Sequence, residues 1–148
     1  MTDITTKPPH LCLVVDASVG VKWLNEKSEQ GVEVARTIAA RAKGDEIVLI
    51  VPDIFLYEIG NVLVNDRGLT NNDIEERLDF LSEFALQIVH IDQSLLIAIT
   101  RLARAHQVTF YDAAYLAIAE MYRADLVTED KDLLHTGLPY VKSLMRYP

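Results

Sequence analysis

The sequence is short of sulfur and of positive charge. One cysteine, Cys12, stands among 148 residues, so an intrachain disulfide is excluded and a small buried thiol in an apolar strand is expected, which suits a reducing compartment. Lys and Arg number 14 against 22 Asp and Glu, a formal net charge of −8. Proteins that hold nucleic acid by their overall field are basic on at least one face, so the balance argues against non-specific nucleic-acid binding. It leaves room for carboxylates gathered around divalent cations, which then become the largest local charges. Long apolar runs are missing as well. None approaches a membrane span, and Met1–His10 carries Pro8-Pro9 and polar residues but no apolar signal core. Internal repeats, low-complexity tracts and linkers are absent too. The expectation is a cytoplasmic protein with a loose lead over 1–10 and a single domain over 11–148.

What is present is apolar and periodic. Half the residues are hydrophobic, enough for one adequate core. Leu11–Val15, with β-branched Val14 and Val15, reads as a strand buried on both faces, as at the centre of a parallel sheet. Helices are expected over Val19–Asn25, with Ser18 as its cap, and over Gln30–Lys43. Ile47–Val51 is a second buried strand, and Ile54–Asp66 a helix with Gly68 near its C-terminal cap. Thr70 and Asp73 resemble a capping box before a helix with Ile74, Leu78, Leu81 and Ala85 along one stripe. Ile88–Ile91 reads as strand, and Gln93–His106 as a helix with Leu95, Ala98, Ile99, Leu102 and Ala105 inward. Ala113–Tyr122 is a helix, Asp125–Thr128 a strand, Lys131–His135 a helical turn and Tyr140–Leu144 a last strand. Strands separated by helices predict an α/β fold with a central parallel sheet of about five strands, covered on both faces.

Four acids stand where charge is expensive or where a site is expected. Asp16 follows the first strand directly, on the edge where open α/β sheets bind ligands. Glu58 lies within a helix among Ile54, Phe55, Asn61 and Val62, and an unpaired buried carboxylate costs several kcal/mol. Asp112 precedes a helix after Phe110-Tyr111, and Asp130 ends the run D-L-V-T-E-D. Each has a bland alternative: a turn for Asp16, an exposed helix edge for Glu58, helix caps for Asp112 and Asp130. As a set they are expected to converge on one pocket. Two unit charges about 4 Å apart repel by roughly 4 kcal/mol at an effective dielectric near 20, a penalty that a divalent cation removes. All-oxygen ligation selects Mg²⁺ or Mn²⁺, while zinc prefers His and Cys. His10, His90, His106 and His135 show no ligand spacing.

The blocks V-V-D-A-S-V with V-K-W, V-P-D-I-F-L-Y-E-I-G-N-V-L, T-F-Y-D-A-A-Y-L-A-I-A-E and L-V-T-E-D-K-D-L-L run from Leu11 to Leu134. In order and spacing they resemble the PIN-domain ribonucleases, most closely the VapC toxins of prokaryotic toxin–antitoxin pairs. The resemblance implies a twisted parallel sheet, Mg²⁺-dependent RNA cleavage with Mn²⁺ able to substitute, a homodimer, and inhibition by a protein antitoxin. By position it assigns the metal-binding, catalytic acids to Asp16, Glu58, Asp112 and Asp130. Thr128 matches the hydroxyl residue of the family's last block, and Ser18 a polar residue after its first acid. Glu129 and Asp132 flank Asp130, which leaves open which acids of that cluster reach the metal. Lys22, Arg101 and Arg104 are candidates to touch phosphate, with a solvated helix face as the alternative for each. Two other classes compete. A receiver or haloacid-dehalogenase phosphoryl-transfer domain also sets an Asp after its first strand, although the latter needs a second Asp where Ser18 stands. A non-catalytic interaction module would keep the acids as caps and use the helix hairpin over Ile54–Ala85 as its surface.

Overall fold

The chain is seen in a computed structural model that describes residues 11–24 and 30–148. Along it run Leu11–Val15 (β1), Ala17–Leu24 (α1), Val32–Lys43 (α2), Ile47–Pro52 (β2), Ile54–Asn65 (α3), Asn71–Ser82 (α4) and Gln87–Val89 (β3). Gln93–His106 (α5), Phe110–Tyr122 (α6), Asp125–Thr128 (β4), Lys131–Leu134 (α7), Val141–Ser143 (β5) and a 3₁₀ turn over Leu144–Arg146 complete it. The strands pair in the order β3-β2-β1-β4-β5, every pair parallel, which is the expected α/β architecture. Its centre is the apolar run β1, where Val14 and Val15 have no exposed surface. Helix α6 lies across β1, β2 and β4, and α2 and α3 pack on β2, so both faces of the central strands are covered. The chain order reverses between β1 and β4. Strand ends splay at such a reversal, and a crevice opens beyond their carboxyl ends.

Several boundaries move for identifiable reasons. Helix α1 begins at Ala17 rather than Val19, and the Ser18 hydroxyl does not cap it but donates to Asp16. Helix α2 begins at Val32, entered through Gly31 in the left-handed region at φ 87°. Helix α6 begins three residues before Ala113, because Thr109 accepts from the Asp112 N–H and takes the cap. The Thr70–Asp73 capping box forms as expected. Gly68 is not the residue that caps α3. That place is held by Asp66, whose carboxylate accepts from the Gly68 N–H. Of the stripes assigned inward, Leu81, Leu95 and Ile99 are buried, but Leu78, Ala85, Ala98 and Ala105 are exposed. Helix α5 packs chiefly on α6, so one narrow line of contact suffices and the alanines beside it stay in water. Cys12 is half-buried rather than enclosed. The expected lead over 1–10 and residue Asn25 lie outside the described residues. No described helix is long and apolar enough to cross a membrane.

One close approach fixes how α1 and α3 meet. A Cβ added at Gly20 would lie 2.6 Å from Phe55 Cζ and 3.0 Å from Ile59 Cδ1, both side chains of the core. Alanine in a helix is normally better than glycine by about 1 kcal/mol. Here overpacking against a buried ring reverses the sign, and Gly20→Ala is expected to destabilise by about 1–3 kcal/mol, read as a lower midpoint in chemical denaturation.

Candidate active site

The crevice beyond β1 and β4 is built around a buried charge. Asp16, 5% exposed, accepts from Ser18 Oγ at Oδ1 and from Thr128 Oγ1 at Oδ2, each at 2.5 Å. Burial raises its carboxyl above the ordinary range, against the lowering effect of these two hydroxyls, and nearby Asp130 raises it further. The hydroxyls also act as acceptors. The Asp130 N–H donates to Thr128 Oγ1 at 2.9 Å and the Glu129 N–H to Ser18 Oγ at 3.1 Å, which ties the loop after β4 to the start of α1. Neighbouring strand ends thus hold Asp16 and Asp130 together.

Asp130 does cap α7, and the cap uses Oδ1 alone, accepting from the N–H of Asp132 at 2.8 Å and of Leu133 at 3.2 Å. Cap and site residue are therefore compatible roles, because a carboxylate has a second oxygen. Asp112 is not a cap. Thr109 holds that place, and Asp112 sits half-buried one turn inside α6 with its carboxyl pushed up to about 6, first by burial and then by Asp130. Glu58, half-buried on α3, accepts from the Tyr115 hydroxyl at 2.9 Å through Oε1. Burial again raises its pKa, with Asp16 and Asp130 adding repulsion. Tyr115 stands three residues after Asp112, on the same helix face. That spacing is the one signal that could have marked it from sequence, where it reads as an ordinary core aromatic.

These side chains line one cleft of about 380 Å³, walled by Asp16, Ser18, Lys22, Glu58, Asp112, Tyr115 and Asp130 among others. A larger cavity of about 530 Å³ between α1, α2 and α4 mixes Arg36 and Arg77 with Asp73 and Glu76, so it gathers no charge of one sign. Lys22 is buried at the rim of the cleft and pairs with Glu129 Oε2 at 3.0 Å. Glu129 itself is not among the residues that wall the cleft. Asp132 behaves differently, since it offers a ligand oxygen within 4.8 Å of those of Asp112 and Asp130. Arg101 and Arg104 are exposed on α5 and line none of this cleft. Among the described residues no ion pair neutralises Asp16, Glu58, Asp112 or Asp130. The donor set is all oxygen, anionic and crowded, which fits a hard divalent cation.

The sequence and the fold have counterparts among known proteins. A family model described as PIN domain matches residues 13–138. The chain is 37% identical over 127 residues to Ribonuclease VapC3 of Pyrobaculum aerophilum, a match covering 82% of this chain and 91% of that protein. Among solved structures it is similar to a toxin–antitoxin complex from Klebsiella pneumoniae, with TM-score 0.64, 18% identity and coverage of 89% of this chain and 97% of that one. It is also similar to VapBC2 from Rickettsia felis bound to a DNA fragment from its promoter, with TM-score 0.67, 14% identity and coverage of 90% and 97%. At these identities the two structures speak to the fold.

The raised carboxyl of Asp112 has a consequence for stability. A carboxyl whose folded pKa lies above its unfolded value favours folding where it is protonated, and that contribution is full below about pH 4 and gone above the folded value. Metal-free wild type should therefore lose ground to Asp112→Asn as pH rises from about 4 to 6, because the amide keeps the shape and carries no charge. Melting curves of both proteins across that window check it. A constant difference between them would show that Asp112 is not crowded.

Proposed function

Since the chain belongs to the PIN domain family, we propose that it is a metal-dependent endoribonuclease that hydrolyses RNA phosphodiester bonds and serves as the toxin of a type II toxin–antitoxin pair. The single observation that carries the reading is the convergence of Asp16, Glu58, Asp112 and Asp130, from four separate crossovers, on one cleft at the β1/β4 reversal. The likeness to a ribonuclease supports the substrate class. Mg²⁺ is the proposed ion, with Mn²⁺ able to replace it, because an octahedral set of carboxylate and water oxygens suits both. The four acids would hold it, and Asp132 is placed to join them through Asp112 and Asp130. Bound there, the cation supplies the positive charge that activates a water and stabilises the leaving oxygen. The residues do the rest. Ser18 and Thr128 keep Asp16 fixed, the α7 cap keeps Asp130 fixed, and Lys22 at the rim pairs with Glu129. With water as nucleophile, the products carry a 5′-phosphate and a 3′-hydroxyl.

The proposed partner is a protein antitoxin in the cytoplasm. A cleft of bare acids attracts a basic segment, and an Arg or Lys set near Glu58 and Asp112 offers the same compensation as the cation and competes with it. The chain is proposed to pair as a homodimer. Tyr57 and Val64, each 74% exposed on α3, are large apolar side chains left in water in the single chain.

Asp16→Asn and Asp112→Asn are each expected to lower Mg²⁺-dependent RNA cleavage by about 100-fold or more while circular dichroism stays native, since ligand loss exceeds the roughly 10–100-fold cost of losing an outer contact. Wild-type rates in either variant would refute the site. Expression of the chain alone should arrest growth, and titration of the product of its neighbouring small gene should suppress cleavage. Harmless expression, together with undiminished cleavage in the presence of a bound partner, would remove the toxin role and leave the nuclease.

A further inference from the structure

Three of the four acids are held by groups close to them in the chain or on the adjoining strand. Asp16 has Ser18 and Thr128, Asp130 is locked by the backbone of α7, and Asp112 lies against its own cap Thr109. Glu58 has none of these. It is the longest of the four side chains, it stands on a helix face that is half in water, and its one hydrogen bond among the described residues comes from across the cleft, from Tyr115. Tyr115 is 1% exposed and its ring is embedded among buried residues of α6. A phenylalanine would pack there equally well. The hydroxyl brings a polar atom into the core that must find a partner, and its oxygen also lies by the backbone of Ala17, the residue after Asp16.

We propose that Tyr115 is the positioning residue for Glu58, engaging Oε1 so that Oε2 alone faces a divalent cation in the cleft. The proposal deepens the nuclease reading above and rests on it. Its physical content is preorganisation. A free glutamate must surrender rotamer freedom when it engages an ion, whereas one already fixed by a buried donor has surrendered it on folding. Tyr115 reaches Glu58 on α3 while standing one turn from Asp112, so its hydroxyl sets the spacing between the acids of α3 and α6.

The test is a double-mutant cycle on Mn²⁺ binding without RNA, followed by the paramagnetic resonance signal of the free ion. Wild type, Tyr115→Phe, Glu58→Gln and the double variant are titrated below the lowest of their melting midpoints. Tyr115→Phe should weaken Mn²⁺ binding about tenfold, and the same change on the Glu58→Gln background should shift it by less than about twofold. In RNA cleavage the Phe variant should need more metal yet approach the wild-type rate at saturation. Tyr115→Met, which fills the space without a hydroxyl, gives the same comparison if the Phe variant melts early. Unchanged binding in Tyr115→Phe while Glu58→Gln binds weakly would overturn the proposal and leave the nuclease reading intact. Equal losses on both backgrounds would also overturn it, by showing a general effect on packing. Failure of wild type to bind Mn²⁺ would overturn the nuclease reading and this proposal together.

Discussion

The structure depends on keeping a carboxylate ionisable where there is almost no water. Asp16 directly follows the central strand of the sheet, and burial there favours its neutral form. An apolar residue would be cheaper in folding terms. What makes Asp16 tolerable is a pair of short hydroxyl bonds, one from two residues on and one from the adjacent strand. Those hydroxyls in turn accept from the backbone of Glu129 and Asp130. Satisfying one buried charge thereby fixes the register of a loop, and the loop carries the next acid of the site. A half-satisfied network of this kind would cost more than an apolar core, so Ser18 and Thr128 are required by Asp16.

The net negative charge is then less paradoxical than composition suggests. On the proposed reading, a cleft that gathers acids repels RNA until a cation changes its sign, and the buried Lys22 is paired with Glu129. Were Lys22 to pair with Asp16 or Asp112, it would neutralise the site internally and compete with any ion. Pairing it with Glu129, which does not wall the cleft, gives the lysine a partner without drawing on the cleft acids.

How far the sequence could be read follows the range of the interactions concerned. Gln93–His106 and the Thr70 capping box depend on neighbours within a few residues, and both appear as the pattern predicts. The five-strand parallel sheet was legible because runs such as Leu11–Val15 are apolar on both faces. Asp112 shows the limit at short range. Asp is a good cap, but Thr109 caps the helix three residues earlier by accepting from the N–H of Asp112, which leaves the acid free to face the cleft. Ser18 shows the opposite substitution, a good cap drawn off by a buried carboxylate. Lys22 and Glu129 are 107 positions apart and Glu58 and Tyr115 are 57. Such pairs depend on the crossing of helices, and no local pattern announces them.

A site drawn from positions 16, 58, 112 and 130 exists only when the strand order is right, because each acid arrives on a different crossover. The repulsion among them is therefore a load on the whole fold and not on one loop. Burial raises the carboxyls of Asp16, Glu58 and Asp112, and the charge of Asp130 raises all three further, so loss of that one charge relieves each of them. An ion that binds only the folded arrangement relieves all of them and draws the global equilibrium towards the native state by mass action. Function and stability are in this sense opposed in the bare chain and aligned in the loaded one. The apolar centre of the sheet, with Val14, Val15, Leu126 and Val127 wholly enclosed, supplies the margin within which that opposition can be carried.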